Sequence, residues 1–149
     1  MNRVIAIDGP AGAGKSSVSR RVGALLGFIH VDSGALYRVM TWQALLRGVD
    51  TANDAALTAF APTVDVTSTV RDGSVIYAVN GVEPGLAIRT PEINRHASPV
   101  ARNPAVRQRV TAWLRELRAL GDIIVEGRDI GSVVFPDTPA RFYLDATPE

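Results

Sequence analysis

Residues 9–16 read Gly-Pro-Ala-Gly-Ala-Gly-Lys-Ser, and no other segment limits so sharply what this chain can fold into. The segment fits G-x-x-x-x-G-K-[ST], a pattern that carries a mechanism only when a strand precedes it and a helix follows. The flanks supply both. Arg3–Asp8 is a short, nearly unbroken apolar run, as in a strand buried on both faces of a parallel sheet. Lys15 to Leu26 reads as a helix with Val18, Val22, Leu25 and Leu26 on one face and Gly27 to stop it. In such a loop the glycines let backbone N–H groups converge on phosphate oxygens, and the helix adds its positive dipole end. The nucleotide-binding set expected from the motif is Gly9, Pro10, Ala11, Gly12, Ala13, Gly14, Lys15, Ser16 and Ser17. Lys15 would reach the β- and γ-phosphates of a nucleoside triphosphate, and the Ser16 hydroxyl would help hold Mg²⁺. Of the 16 basic residues Lys15 is the sole lysine, so the one flexible point charge stands inside the glycine-rich loop.

The rest of the chain continues the α/β grammar. Phe28–Asp32 reads as a second strand, and Ser33 can cap a helix carrying Leu36, Val39, Met40 and Leu46. The middle changes character. An alanine-rich helical piece ends at Pro62, and Val64, Val66, Val75, Tyr77 and Val79 then alternate around tight turns at Asp72-Gly73 and Asn80-Gly81. This predicts a small antiparallel meander forming its own lobe, at about 62–102, inside a single α/β domain spanning 1–149. Two helices follow, opened by Thr90-Pro91 and Asn103-Pro104 with proline at the first helical position. The second carries Val106, Val110, Trp113, Leu114, Leu117 and Leu120 as one stripe, closed by Gly121. Asp122–Glu126 and Arg141–Asp145 read as core strands, and Thr147-Pro148-Glu149 as the start of a further helix.

Composition sets few further limits. A chain of 149 residues is one domain long, and a net charge of +1 gives no reason to expect binding to nucleic acid or a membrane surface. No run approaches the ~18 apolar residues of a membrane span, and Val4–Ile7 is too short for a signal-peptide core. With no cysteine there are neither disulfides nor thiolate metal sites, which fits a cytoplasmic protein.

A second anion site is suggested by the arginines. Arg38 lies just past the first turn of the helix after the second strand, where a cation gains nothing from the helix dipole. Arg128 follows the buried strand Asp122–Glu126, and so should emerge on the same rim as the glycine-rich loop. Arg89 and Arg107 come from the inserted region. Guanidinium forks from separate segments suit a phosphate monoester, so a triphosphate donor and a monophosphate acceptor are expected together. Asp129, beside Arg128, reads equally as that arginine's structural partner and as a ligand for the acceptor.

The segments IDGPAGAGKSS, DSGALYR, IRTPEIN, EGRDIG and FPDTPARFYLDA together resemble the cytidylate kinase family, in its order and spacing, over the whole chain. The resemblance implies a P-loop nucleoside-monophosphate kinase fold: a parallel sheet with helices on both faces and an inserted acceptor-binding lobe. It implies transfer of the γ-phosphoryl group of ATP, with Mg²⁺, onto CMP or dCMP, and a monomeric enzyme. Lys15 and Arg128 become the catalytic candidates. Arg38 and Arg128 would hold the CMP phosphate, with Ser33 in the same acceptor group, while Ser98, Arg107 and Asp129 would face the cytosine. Glu126 would orient Mg²⁺ through water. Two alternatives stay open: a kinase of another small acceptor such as UMP, and a relative that binds nucleotides without turning them over. In this family further sequence follows the point matching Glu149, with a mobile arginine-bearing lid and a last core strand. Residues 1–149 alone are therefore expected to bind nucleotides, to turn over poorly and to associate through the Arg141–Asp145 edge.

Overall fold

The computed structural model describes residues 1–145, so the helix start expected at Thr147-Pro148-Glu149 lies outside the described residues. Six strands form one mainly parallel sheet in the order β3-β4-β2-β5-β1-β6, with helices. The strands are β1 (Val4–Asp8), β2 (Ile29–Asp32), β3 (Val66–Arg71), β4 (Ser74–Val79), β5 (Ile123–Gly127) and β6 (Ala140–Tyr143). The helices are α1 (Lys15–Leu26), α2 (Ser33–Leu46), α3 (Asp54–Phe60), α4 (Pro91–Arg102) and α5 (Pro104–Leu117). The chain divides into two compact units.

The first unit comprises Met1–Ser33, Val70–Val75 and the chain from Leu114 onward. Its centre is β5, buried along its whole length between β1 and β2 and parallel to both. The register places Asp8 opposite Gly127 and Asp32 opposite Glu126, so the carboxyl ends of three strands finish level. That rim is where ligands bind in sheets of this kind. Arg3 and Asp122 close the opposite end, with the Arg3 backbone N–H 2.6 Å and Nη2 2.8 Å from the Asp122 carboxylate.

Helix α1 covers the sheet by a different face from the one its leucines suggest. Val18, Leu25 and Leu26 are exposed, and Ser19 and Gly23 are the buried residues. The reason is close approach. A Cβ on Gly23 would lie 2.8 Å from the Phe28 carbonyl oxygen and 3.3 Å from the Ile124 side chain, so the helix reaches the sheet through its small residues. Val22 is the one member of the expected stripe packed against the Ile7–Phe28–Ile124 cluster.

Strand β6 pairs only with β1 among the described residues, and Phe142 and Tyr143 on it are exposed. It is an edge strand in the described sheet, as the expectation for the Arg141–Asp145 edge had it. The loop expected after β5 is more ordered than its glycines suggest: Ile130–Val134 forms a π-helical turn, with Phe135 N–H donating to the Ile130 carbonyl at 2.7 Å.

The expected hairpin turns at Asp72-Gly73, with both residues at positive φ as a two-residue hairpin loop needs. Its turn end lies in the first unit, where Ser74 pairs with His30 and extends the main sheet.

The second unit comprises Gly34–Thr69 and Ile76–Trp113. Leu36, Val39 and Met40 of α2 are fully buried, whereas Leu46 is exposed. The two proline-led helices form as their sequences indicate. Thr90 Oγ1 accepts the Ile93 N–H at 3.2 Å, and Asn103 Oδ1 accepts that of Val106 at 3.1 Å. Asn103 also donates to the Asp54 carboxylate at 3.1 Å and to Thr58 at 3.2 Å, tying the start of α5 to α3. Of the α5 stripe, Val106, Val110, Trp113, Leu114 and Leu117 are buried, and Leu120, beyond the helix end, is exposed. Among the described residues no helix is long and apolar enough to cross a membrane.

Candidate active site

Asp8 ends β1, and the loop 9–14 turns directly into α1, whose first residue is Lys15. Gly12 and Gly14 adopt positive φ, a backbone that glycine takes without steric cost. Lys15 folds back over this loop, donating to the carbonyl oxygens of Gly9 and Pro10. Burial and the neighbouring Arg128 charge hold its ammonium below the ordinary lysine pKa, and the carboxylates of Glu126, Asp32 and Asp8 only partly oppose that shift.

Ser16 sits in the first turn of α1, and its hydroxyl donates to Glu126 Oε1 at 2.6 Å. The other oxygen, Oε2, lies 2.5 Å from His30 Nε2. Burial raises the Glu126 carboxyl pKa, but the His30 and Ser16 hydrogen bonds, with the His30 and Arg20 charges, outweigh it and hold the group below the usual glutamate value. Glu126 therefore stays a carboxylate although nearly buried. A hydroxyl whose proton is taken by a carboxylate, with phosphate oxygens and water to complete the shell, is the all-oxygen donor set that suits Mg²⁺. Among the described residues no three His, Asp or Glu side chains gather into a metal cage, and a nucleotide-bound Mg²⁺ requires none.

Ser33 opens α2, and its hydroxyl donates to the Glu126 backbone carbonyl at 2.7 Å, where the sequence suggests a helix cap. Arg128 and Asp129 follow the end of β5, Arg128 exposed and Asp129 half-buried. Their loop is pinned by Asp8, whose carboxylate accepts the N–H groups of Ile130 at 2.8 Å and Gly131 at 2.9 Å. In the second unit Arg38 lies half-buried on α2, Ser98 exposed on α4 and Arg107 half-buried on α5, with one Arg107 N–H donating to the Ala101 carbonyl at 3.3 Å. Within the first unit, then, Lys15, Ser16, Glu126 and Arg128 come together. Sequence reasoning missed His30 and Asp8. The available signal for His30 was a histidine inside an otherwise apolar strand; for Asp8 there was only its place between strand and loop.

The family model for cytidylate kinase matches residues 5–149. The chain belongs to the cytidylate kinase family. It is 42% identical to a cytidylate kinase from Pelotomaculum thermopropionicum over 146 residues, 97% of this chain and 65% of that protein. It is 40% identical to the cytidylate kinase of Solibacter usitatus, covering 98% of this chain and 61% of that one. A bifunctional pantoate ligase/cytidylate kinase from a Synechococcus species is 42% identical over 98% of this chain and 30% of its own length. The chain thus spans slightly under two thirds of the stand-alone cytidylate kinases it matches. The six-stranded, mainly parallel sheet with its helices agrees with the P-loop kinase fold of the cytidylate kinase family.

Proposed function

We propose that the protein transfers the γ-phosphoryl group of ATP to CMP or dCMP, giving CDP or dCDP. The observation that carries this reading is the Ser16 hydroxyl bonded to Glu126 at the start of α1, beside Lys15 and the glycine-rich loop. Cationic groups on that rim favour a polyanion, and a phosphoryl group in transfer is such a polyanion. Backbone N–H groups of the loop 9–16 bind the donor phosphates, and Lys15 moves from the loop carbonyls onto the β- and γ-phosphates. Ser16 would hold Mg²⁺ directly and Glu126 through water; bound there, the ion offsets charge on the donor phosphates.

Arg38 and Arg128 are assigned to the acceptor phosphate, with Ser33 in the same group, on the family resemblance. Ser98, Arg107 and Asp129 are assigned to the base. A carboxylate at Asp129 accepts from the cytosine amino group and is repelled by the carbonyl that uracil carries in its place. The reaction needs no covalent enzyme intermediate: positioning and charge stabilisation suffice.

The test is nucleotide-diphosphate formation from ATP with CMP, dCMP, UMP or AMP offered separately. CMP and dCMP should be preferred, since a site built to hydrogen-bond a group can reject analogues lacking it by ~10⁴–10⁵-fold. Asp129→Ala should erode that preference. Equal use of CMP and UMP by the full-length enzyme would overturn the base-reading roles, and ATP binding without transfer to any monophosphate in that full-length context would overturn the kinase reading.

A further inference from the structure

His30 is the one buried histidine among the described residues, and the phosphoryl-transfer chemistry gives it no direct task. Three contacts hold it. Its backbone N–H donates to the Gly73 carbonyl at 2.8 Å, its Nδ1 lies 3.0 Å from Ser74 Oγ, and its Nε2 lies 2.5 Å from Glu126 Oε2. Ser16 Oγ occupies the other oxygen of the same carboxylate. A continuous hydrogen-bonded row therefore runs from the hairpin turn to the first turn of α1: Ser74, His30, Glu126, Ser16.

The chemistry of the row is directional. Ser16 can offer its oxygen lone pairs to a cation only if its single proton goes elsewhere, and Glu126 Oε1 takes it. Glu126 keeps that geometry only if its second oxygen is anchored, because a carboxylate held at one oxygen can rotate about its terminal bond. The Nε2–H of His30 supplies the anchor, and Ser74 holds the imidazole from behind.

We propose that His30 is a positioning residue for the magnesium site: it fixes Glu126, Glu126 takes the Ser16 proton, and the Ser16 oxygen is left to bind the ion. The inference rests on the kinase reading above. It assigns to His30 the support that outer-shell partners give to metal ligands, whose loss commonly costs 10- to 100-fold in metal affinity or activity, an order-of-magnitude range.

The test compares the wild-type protein with His30→Leu, His30→Gln and Ser74→Ala. Two quantities are read: ATP affinity by calorimetry with Mg²⁺ and with EDTA, and the Mg²⁺ concentration giving half-maximal CDP formation. His30→Leu should lose about 10- to 100-fold in magnesium affinity, with ATP affinity in EDTA and KM for CMP unchanged. Glutamine places an amide N–H where the imidazole Nε2–H stood, so His30→Gln should restore most of the loss. Ser74→Ala should shift magnesium dependence in the same direction by less, and these two milder variants carry the test if the leucine variant does not fold. Wild-type magnesium dependence in His30→Leu would overturn the proposal while leaving the kinase reading intact. So would a glutamine variant as impaired as the leucine variant, or equal losses in metal-free ATP binding, CMP binding and Tm. A wild-type protein whose ATP binding ignores magnesium would overturn both readings.

Discussion

Asp8 accepts the backbone N–H of Ile130 across 2.8 Å, joining the strand that leads into the glycine-rich loop to the segment that carries Arg128 and Asp129. The same carboxylate takes the Gly131 N–H through its other oxygen. Asp8→Ala leaves two adjacent amides without their acceptor, and an unsatisfied buried donor costs about 1–3 kcal/mol. The expected result is a Tm several degrees lower, with amide exchange accelerated at 130–131 before the strands. Asp8→Asn keeps one acceptor oxygen and should fall between. Wild-type exchange at those amides in Asp8→Ala would show that the carboxylate does not hold the loop.

Lys15→Met should separate activity from stability. In the unliganded protein the Lys15 ammonium is disfavoured by burial and by Arg128, so removing its charge relieves the fold. Phosphoryl transfer should drop by at least about 10²-fold, the scale for losing one preorganised charge-stabilising donor. Thermal unfolding without nucleotide should show a Tm no lower than that of the wild type. A marked loss of Tm would mean that the bonds to the Gly9 and Pro10 carbonyls hold the loop together.

A modest acid sensitivity is expected from the far end of the sheet. Hydrogen bonds from the Arg3 side chain and backbone hold the Asp122 carboxyl below its usual pKa. A depressed carboxyl pKa adds stability that is complete above the unfolded-state value and is lost as pH falls through the folded value. The stability difference between wild type and Asp122→Asn should therefore be constant from neutral pH down to about pH 5, then shrink in acid. Since the pair is solvent-exposed, added salt should shrink it as well. A difference growing toward low pH would contradict the assignment. Denaturant unfolding of both proteins across this range is the measurement.

Gly23→Ala sets two effects against each other. Alanine is the better helix former by about 1 kcal/mol. Its Cβ, however, would lie 2.8 Å from the Phe28 carbonyl oxygen, a backbone atom that cannot rotate away as a side chain could. Overpacking typically costs about 1–3 kcal/mol, so the substitution should destabilise. The check is the denaturation midpoint, which should fall with an unchanged m-value.

The helix α1 shows why part of this architecture was legible in the sequence and part was not. Its start at Lys15 and its stop at Gly27 follow from local rules, and both hold. Its buried face does not follow, because hydrophobic spacing selects large residues while the packing distance here selects Ser19 and Gly23. The proline-led helices α4 and α5 and the Asp72-Gly73 turn were readable for the same local reason. The site divides in the same way. Lys15 and Ser16 announce themselves by motif, but the bond from Ser16 to Glu126 spans 110 positions and that from His30 to Glu126 spans 96. Such partners meet only through strand order, which one sequence does not encode locally.

Gly9 shows how two requirements can rest on one atom. A Cβ there would collide with the backbone carbonyl oxygen of Leu144, just past β6, and Leu144 N–H in turn donates to the Asp8 carbonyl at 2.7 Å. The absent methyl group is thus demanded by chain packing before any phosphate arrives. Genetic screens that score this position by lost catalysis would confound a folding lesion with a ligand-binding one. Inheritance of glycine at position 9 would persist even in a descendant that had abandoned nucleotides altogether.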